Sequence, residues 1–545
     1  MLTDRATLEL FAPLERGGAE PLRAQLEAAI RAAITGGGAP PGTRLPASRV
    51  LAEALGVSRG VVSEAYAQLA AEGWIDVRRG AAPVVRAVPA GTPGAVAPPG
   101  AVWSPGAAAP RGAVWSPGAG ASRGAVSSPG AVAPPGAVWS PGAAASRGAA
   151  LSPGAPGAAV SPGAAGTGSS PAASSLRGAA WPAAVSSPGA APPRFDLTAT
   201  APDLSAFPRR AWAAALRRVL AELPDAALDY GDAFGDPELR AELAAYIVRV
   251  RGAAAAADRL VITNGYTQGL WLTCRALKAR GARTVAVEDP SLDDAWTTIR
   301  SAGLDVVGLP VDADGVRVDA IAADAVLVTP AHQFPTGAVL APERRRALLA
   351  WGGIVIEDDY DSEYRYDRAP VGTLQRLAPD RVVYLGTASK TLAPALRLGW
   401  LLAPPHLASA IARERWAVDS GGPAFAARAY ARLVATGALD RHLRRTRRTY
   451  RERRDRLVAA LATRLPQCEI SGVAAGMHLL LRLPPGTDEG AVVAALAARR
   501  VRIRGLSRYR LHARPGEPAL VVGYGRLPAP AIDAAVEHLA AAVTR

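Results

Sequence analysis

Lys390 is one of only two lysines, the other being Lys278, among the 62 basic residues of this 545-residue chain. An arginine bias this strong implies that lysine has been replaced wherever a generic cation serves, so a surviving amine points to amine chemistry. Lys390 lies in "GTASKTLAPALRLGW", after a β-rich run and seven residues before Arg397. A carboxylate, Asp358, falls at the end of "GIVIED", with Tyr360 two residues on. Gly265, Tyr266 and Thr267 open a helical pattern in "TNGYTQGL", where the first amides of a helix can hold an anion. Pyridoxal 5'-phosphate has these needs: an amine for a Schiff base, a carboxylate to keep the pyridine nitrogen protonated, and donors plus a cation for the phosphate. Singly, a lysine is usually a solvated charge and an aspartate after a strand a cap; the joint order carries the signal.

The elements that must position these groups are legible beyond Arg194. The runs "RLVIT", "TVAVE", "AVLVTP", "GIVIED" and "RVVYLG" alternate with helical patterns at 268–280 and 343–351, which is the pattern of an α/β sheet. Ligands in such sheets bind at the carboxyl ends of strands. Asn264-Gly265, Asp289-Pro290, Glu357 to Tyr360 and Thr387 to Lys390 all fall there, so the strand ends are expected to converge on one site.

The first 88 residues read differently. Leu22, Leu26, Ile30 and Ile34 recur at helical spacing, and Pro40-Pro41-Gly42 closes that segment. Ser48 is placed as the N-cap of a helix through Leu55, Gly56 takes the left-handed position after it, and Ser58 caps a second helix that reaches Glu72. Residues 74–77 and 84–85 then read as short strands around Arg78-Arg79-Gly80, a basic wing. Arg49, Ser58, Arg59 and Ser63 fall where a recognition helix meets base edges and phosphates, while Arg44, Arg78 and Arg79 would hold the DNA backbone. Two amphipathic helices with a glycine turn can also make a plain small bundle.

Between these parts, residues 89–193 are mostly Gly, Ala, Pro and Ser, a composition unable to bury enough surface to offset chain ordering. Glycine recurs every sixth residue from Gly94 to Gly154, each followed by alanine. A β-helix would lose ladder donors to the prolines, and collagen needs glycine at every third position, so the segment reads as a disordered linker. A flexible chain of roughly 105 residues spans on the order of 55–60 Å. The recurring Trp103, Trp115 and Trp139 fit a partner contact or simple expansion of a repeat. Three domains follow: 1–88, 89–193 and 194–545.

The net charge of +15 suits a nucleic-acid partner, but residues 1–88 carry ten arginines against nine acids, so the DNA reading rests on placement rather than bulk charge. Cys274 and Cys468 form no CxxC or Cys/His cluster, which leaves no disulfide framework or zinc site. No long apolar stretch is present, and a cytoplasmic location is expected.

The string "PPGTRLPASRVLAEALGVSRGVVSEAYAQLAAEGWIDVRRG" closely resembles the GntR-type winged helix, in which the leucines and Val57 fill the core while Arg49 and Arg59 match DNA-contacting positions. At the wing, Ala81-Ala82-Pro83 replaces the family's Gly-rich tip. From about residue 195 onward, "YGDAFGDPELR", "TNGYTQGL", "EDPS", "TPAHQFPTG", "IEDDYDSEYRYD" and "GTASKTLAPALRLGW" resemble fold-type I aminotransferases, and in detail the MocR branch of the GntR regulators. The resemblance implies that Lys390 carries pyridoxal phosphate, Asp358 pairs with the pyridine nitrogen and Tyr360 hydrogen-bonds the phenolic oxygen. It further implies that Arg397, Thr387, Ser389 and the Gly265, Tyr266 and Thr267 amides take the phosphate. Tyr230 matches a tyrosine that reaches the partner's phosphate in these dimers, so a homodimer is implied as well.

Three departures bear on activity. Leu292 stands in "EDPSL" where an aromatic residue commonly stacks on the cofactor, with Trp296 as the substitute. Phe334 stands where working aminotransferases usually carry Asn. "ALVVGYGRL" lacks an arginine immediately ahead for a substrate carboxylate, leaving Arg508 and Arg526 as nearby candidates or as ordinary surface charges. The expected protein is a regulator of operator DNA that answers to an amine, an amino acid or the cofactor itself, with vitamin B6 or amine metabolism as its field. The competing readings are a transaminase with a vestigial DNA-binding segment and a DNA-binding scaffold with an empty aminotransferase fold.

Overall fold

The computed structural model describes residue 14 and residues 22–35, 38–71, 74–77, 82–85, 192–366, 371–512 and 517–544. The linker reading over 89–191 and the wing arginines Arg78 and Arg79 lie outside the described residues.

In the N-terminal part, α1 (Leu22–Thr35), α2 (Ser48–Ala54) and α3 (Arg59–Ala71) precede β1 (Ile75–Asp76) and β2 (Val84–Val85). Leu26, Ile30 and Ile34 form one buried stripe of α1, and Val62, Ala65, Tyr66 and Leu69 one of α3; with Leu45, Leu51 and Trp74 they make a single core. Val57 packs at its margin. The strands pair antiparallel, Ile75 with Val85 and Asp76 with Val84, as a wing requires. Ser48 corrects the expected capping: Ala47 is the N-cap, in extended conformation, and α2 begins with Ser48 itself, without a side-chain cap. Its hydroxyl therefore starts one residue too far along to reach the free first-turn amides. Ser58 does cap α3, accepting from the Val61 amide at 3.4 Å, and Gly56 has φ +62°.

In the C-terminal part, β3 (Phe195–Asp196) comes first, followed by α4 (Arg209–Glu222) and α5 (Pro237–Arg251). The main sheet then holds β4 (Leu260–Thr263), β5 (Thr284–Asp289), β6 (Asp305–Asp312), β7 (Gly315–Val316), β8 (Ala325–Val328), β9 (Ile354–Asp359), β10 (Val382–Thr387) and β11 (Gly399–Leu402). Its order is β4-β11-β10-β9-β8-β5-β6-β7. Strands β10, β9, β8, β5 and β6 run parallel, whereas β11 lies antiparallel between β10 and β4. The period of two along each strand feeds both faces: Val383 and Leu385 enter one core with Val285, Val287 and Ile356, while Tyr384 enters the other with Ile262 and Trp400. Strands buried on both faces read as near-continuous apolar runs, which is why the sequence exposes them. A second, antiparallel sheet pairs Glu469–Ser471, His478–Arg482, Ala519–Gly523 and Arg504–Gly505.

One buried ion pair fixes the end of β9. Arg251, the last residue of α5, donates through Nε to Asp359 Oδ2 at 2.6 Å and through Nη2 to Oδ1 at 3.1 Å. The Tyr384 hydroxyl also donates to Asp359 Oδ2, at 2.7 Å, and Arg251 Nη1 donates to the Val371 carbonyl. This bidentate pair anchors the residue next to Asp358.

Candidate cofactor site and DNA-reading face

Lys390 follows β10 by three residues, at the carboxyl edge of the sheet. Its Nζ donates to Thr200 Oγ1 at 3.3 Å. Burial pushes the amine's pKa below its usual value, while Asp358 and Asp361 pull the other way. A lowered pKa favours the lone pair that Schiff-base formation needs. Asp358, only 8 % exposed, leaves its Oδ1 buried without a hydrogen-bond partner. Burial, then the neighbouring Asp359, raises its carboxyl well above the ordinary range, and the Tyr266 hydroxyl and Lys390 work against that. A buried orphan acceptor in a native fold demands an explanation, and a protonated pyridine nitrogen supplies both the missing donor and the missing cation.

The anion end lies at α6 (Tyr266–Ala279), which follows β4 after a two-residue turn. Its N-cap Gly265 has φ 87° and ψ 174°, a region essentially confined to glycine. The first amides of the helix have no partner in preceding turns and face outward along its dipole. Arg397 donates through Nη2 to the Asn264 carbonyl at 2.6 Å and lies against Gly265 so closely that a Cβ there would stand 2.9 Å from Nη2. Thr387 Oγ1 donates to Ser389 Oγ at 3.0 Å and accepts from the Ser389 amide at 3.1 Å. The orphaned Asp358 oxygen and the glycine-floored arginine cradle together fit pyridoxal phosphate. Tyr266 stands in a different relation from the one expected, because its side chain meets Asp358 in addition to its amide opening α6.

Tyr360 is buried, and its hydroxyl donates to the His332 carbonyl at 3.0 Å. Leu292 and Phe334 pack in the same small cluster as Tyr360 and Tyr509. Phe334 meets Tyr360 edge-on at 6.3 Å and Tyr509 edge-on at 4.9 Å, so the position makes ring contacts rather than a polar one. Trp296 belongs to the opposite core and donates its indole N–H to Ser291 Oγ at 2.9 Å. Of the two candidate carboxylate-binding arginines, Arg508 pairs with Asp293 at 2.8 Å and Arg526 with Asp196 at 3.1 Å. Tyr230 stands apart, 79 % exposed, with Trp416 edge-on at 6.5 Å.

Sequence reasoning missed Thr200, His332, Asp361 and His478. His332 and Asp361 lie in "TPAHQFPTG" and "IEDDYDSEYRYD", and their position after strands was the available signal; Thr200 and His478 carried none.

On the N-terminal part, Arg44, Arg49, Ser58, Arg59 and Ser63 are all exposed, and Ser48 is half-buried. The burial of Val62, Ala65, Tyr66 and Leu69 turns the Arg59–Ser63 face of α3 outward. The Tyr66 hydroxyl donates to the Pro46 carbonyl at 2.8 Å, tying α3 to the approach of α2. Arg44 bridges to Val84 through the backbone, beside the wing.

A helix–turn–helix with a two-stranded wing, carried in one chain with a fold-type I aminotransferase layout, defines a DNA-binding regulator built on an enzyme fold. Residues 22–85 match the bacterial regulatory proteins of the gntR family, and residues 195–543 match aminotransferase class I and II. The chain is 34 % identical over 324 residues to the HTH-type pyridoxine biosynthesis transcriptional regulator PdxR of Corynebacterium glutamicum, covering 58 % of this chain and 70 % of that one. It is 30 % identical over 520 residues to the probable rhizopine catabolism regulatory protein MocR of Rhizobium meliloti, covering 94 % of this chain and 91 % of that one. Among solved structures, an archaeal alanine:glyoxylate aminotransferase superposes with a TM-score of 0.60 at 26 % identity, over 65 % of this chain and 91 % of that one. The chain belongs to the aminotransferase class I and II family and, through its gntR domain, to the MocR-type transcription regulators. Among the described residues no helix is long and apolar enough to cross a membrane.

Proposed function

We propose that this regulator binds pyridoxal 5'-phosphate through Lys390 and changes its hold on operator DNA when the cofactor, or an amine or amino acid reacting with it, occupies the site. The observation that carries this reading is the buried, unpartnered Oδ1 of Asp358 beside Lys390, in a chain that also presents Arg49 and Arg59 on a winged helix. Bound there, the cofactor would supply an electrophilic carbon for amine capture and a pyridine ring able to draw off electrons.

The chain's own groups take definite parts. Lys390 offers the amine; Asp358 holds the proton on the ring nitrogen; Tyr360 donates toward the phenolic oxygen; the amides of residues 265–267 with Thr387, Ser389 and Arg397 hold the phosphate. Arg44, Arg49, Ser58, Arg59 and Ser63, with Arg78 and Arg79 at the wing, meet the DNA. Ion pairing of Arg508 and Arg526 within the chain favours a sensor over a transaminase, since each already has a carboxylate. The likeness to the Corynebacterium regulator of pyridoxine biosynthesis favours the cofactor as signal and vitamin B6 genes as target. A homodimer in the cytoplasm completes the reading: Leu220, Leu228, Tyr230, Trp416, Val418 and Phe425 are exposed apolar groups, and an apolar surface of that kind fits a second copy. Two sites coupled in this way require the ligand to bind one DNA-binding state better than another.

Absorbance titration with pyridoxal phosphate tests the assignment. The wild type should gain a visible band that Lys390→Ala lacks; an identical spectrum for both would contradict it.

A further inference from the structure

The side chains of His332, Asp361 and His478 form one buried group beside Tyr360. His332 Nδ1 lies 3.0 Å from one Asp361 carboxylate oxygen and 3.2 Å from the other. A carboxylate only accepts, so the hydrogen-bond network assigns the shared proton to Nδ1. The Tyr360 oxygen stands 3.1 Å from that same nitrogen. A nitrogen that already carries a hydrogen cannot accept one, so Tyr360 cannot donate its proton to the ring; the proton is left for the His332 carbonyl, for the Asp361 carboxylate, or for an acceptor on the cofactor side. His478 packs on His332 with centroids 4.9 Å apart and meets the Pro335 backbone, but its ring nitrogens make no hydrogen bond to His332, so it does not compete with Asp361 for the Nδ1 hydrogen. The packing allows no slack, because a side chain at Gly476, where φ is +68°, would overlap both Asp361 and His332.

We propose that Asp361 locks the His332 tautomer so that Tyr360 stays a hydrogen-bond donor, and that this pair thereby sets the protonation of the lysine-bound cofactor. Asp361 and His332 are positioning residues in this arrangement, and the inference rests on the reading that pyridoxal phosphate sits on Lys390. Donation to the phenolic oxygen stabilises its anion and lowers the pH at which the Schiff base loses its proton. In Asp361→Asn the carboxylate that held the hydrogen on Nδ1 is gone; once that hydrogen sits on Nε2, the single lone pair of Nδ1 accepts the Tyr360 hydrogen. The pH midpoint then rises.

Charge alone predicts the reverse. Lys390 is surrounded by Asp358, Asp361, Asp294 and Arg526, and Tyr360 faces Asp361, Asp358 and Glu288. Removing one negative charge from this set disfavours a protonated Schiff base and lowers its midpoint. The sign of the shift therefore separates a tautomer lock from simple electrostatics.

The experiment is a spectrophotometric pH titration of the full-length, cofactor-loaded protein. Asp361→Asn should raise the midpoint by about one pH unit, the scale of one charge-assisted hydrogen bond. Tyr360→Phe should raise it similarly, and Asp361→Asn in the Tyr360→Phe background should add little, because the effect passes through the hydroxyl. If Asp361→Asn does not fold, His332→Asn, whose amide places a donor near the Nδ1 position and so keeps Asp361 occupied, should keep the wild-type midpoint, whereas His332→Leu leaves the Asp361 carboxylate free to take the Tyr360 hydrogen and should raise it. A downward shift in Asp361→Asn, a shift that persists without the Tyr360 hydroxyl, or equal midpoints for His332→Asn and His332→Leu would overturn the proposal. So would stoichiometric zinc in the purified wild type that is lost in His478→Ala, since the three side chains would then be metal ligands. A wild type without any visible band removes the cofactor reading and this inference with it, whereas a normal wild-type band with unmoved variants removes the inference alone.

Discussion

Replacing Gly265 by alanine tests the phosphate cradle through two separable costs. Its backbone, at φ 87° and ψ 174°, lies where only glycine rests without strain, and holding another residue there costs on the order of 1–3 kcal/mol. The new Cβ would also stand 2.9 Å from Arg397 Nη2 and 3.1 Å from Cζ and Nη1. These are tighter than normal contacts, and because the Asn264 carbonyl holds the same guanidinium at 2.6 Å, the arginine must tilt away from the site. Losing one charge-assisted bond to the phosphate costs about 1.5–3 kcal/mol, which corresponds to about a 10- to 150-fold weaker hold on pyridoxal phosphate. The backbone term appears in the cofactor-free protein as a melting temperature lower by a few degrees. The electrostatic term appears only in the cofactor Kd, measured by absorbance titration. A variant that melts lower yet binds the cofactor within twofold of wild type would refute the cradle, and one unchanged in both would refute the backbone argument too.

Arg59→Ala should weaken operator binding and, if the side chain neutralises one phosphate, reduce the slope of log K against log salt by about 0.9; an unchanged slope would remove Arg59 from the backbone contacts. Arg251→Ala strands Asp359 inside the fold, 7 % exposed, and should destabilise the C-terminal part by about 3–5 kcal/mol in a denaturant titration, against which a loss below ~1 kcal/mol would count. Burial pushes the Glu288 carboxyl up to about 7 against donation from Thr329 and Gln333. The folded state therefore holds that proton more tightly than the unfolded chain, so the contribution of Glu288 to stability is greatest near the ordinary carboxylate range and is lost as pH rises toward 7. Glu288→Gln should flatten the fall in melting temperature between pH 5 and 7, and identical slopes for the two proteins would contradict the assignment.

The parts of the fold visible in the sequence were those written in local patterns. Strands β4, β5, β8, β9 and β10 are buried on both faces and read as apolar runs, and the polar residues that end them, Asp358 and Lys390 among them, mark the site because a parallel sheet gathers its carboxyl ends. Ser58 was legible as a cap because the next three residues are helical, whereas Ser48 was not, since Ala47 beside it can adopt the same extended conformation. Long-range partners left no such mark. Asp359 and Arg251 are 108 residues apart, Asp361 and His332 are 29 apart, and His478 comes from a different sheet. The pairing of Arg508 with Asp293 and of Arg526 with Asp196 also depends on the closed fold, so the sequence left those arginines open between a ligand and the surface. Phe334 and Leu292 were seen as departures, but only packing reveals that they fill one cluster around Tyr360.

The most direct measurement is the affinity of the full-length protein for DNA from its own upstream region, with and without pyridoxal phosphate, for wild type and Lys390→Ala. A cofactor-dependent change in the wild-type Kd, typically 5- to 150-fold for a coupled pair of sites, is expected, and none in Lys390→Ala. Equal wild-type affinities with and without pyridoxal phosphate, and with amines added to the loaded protein, would contradict a regulator that reads its ligand through Lys390.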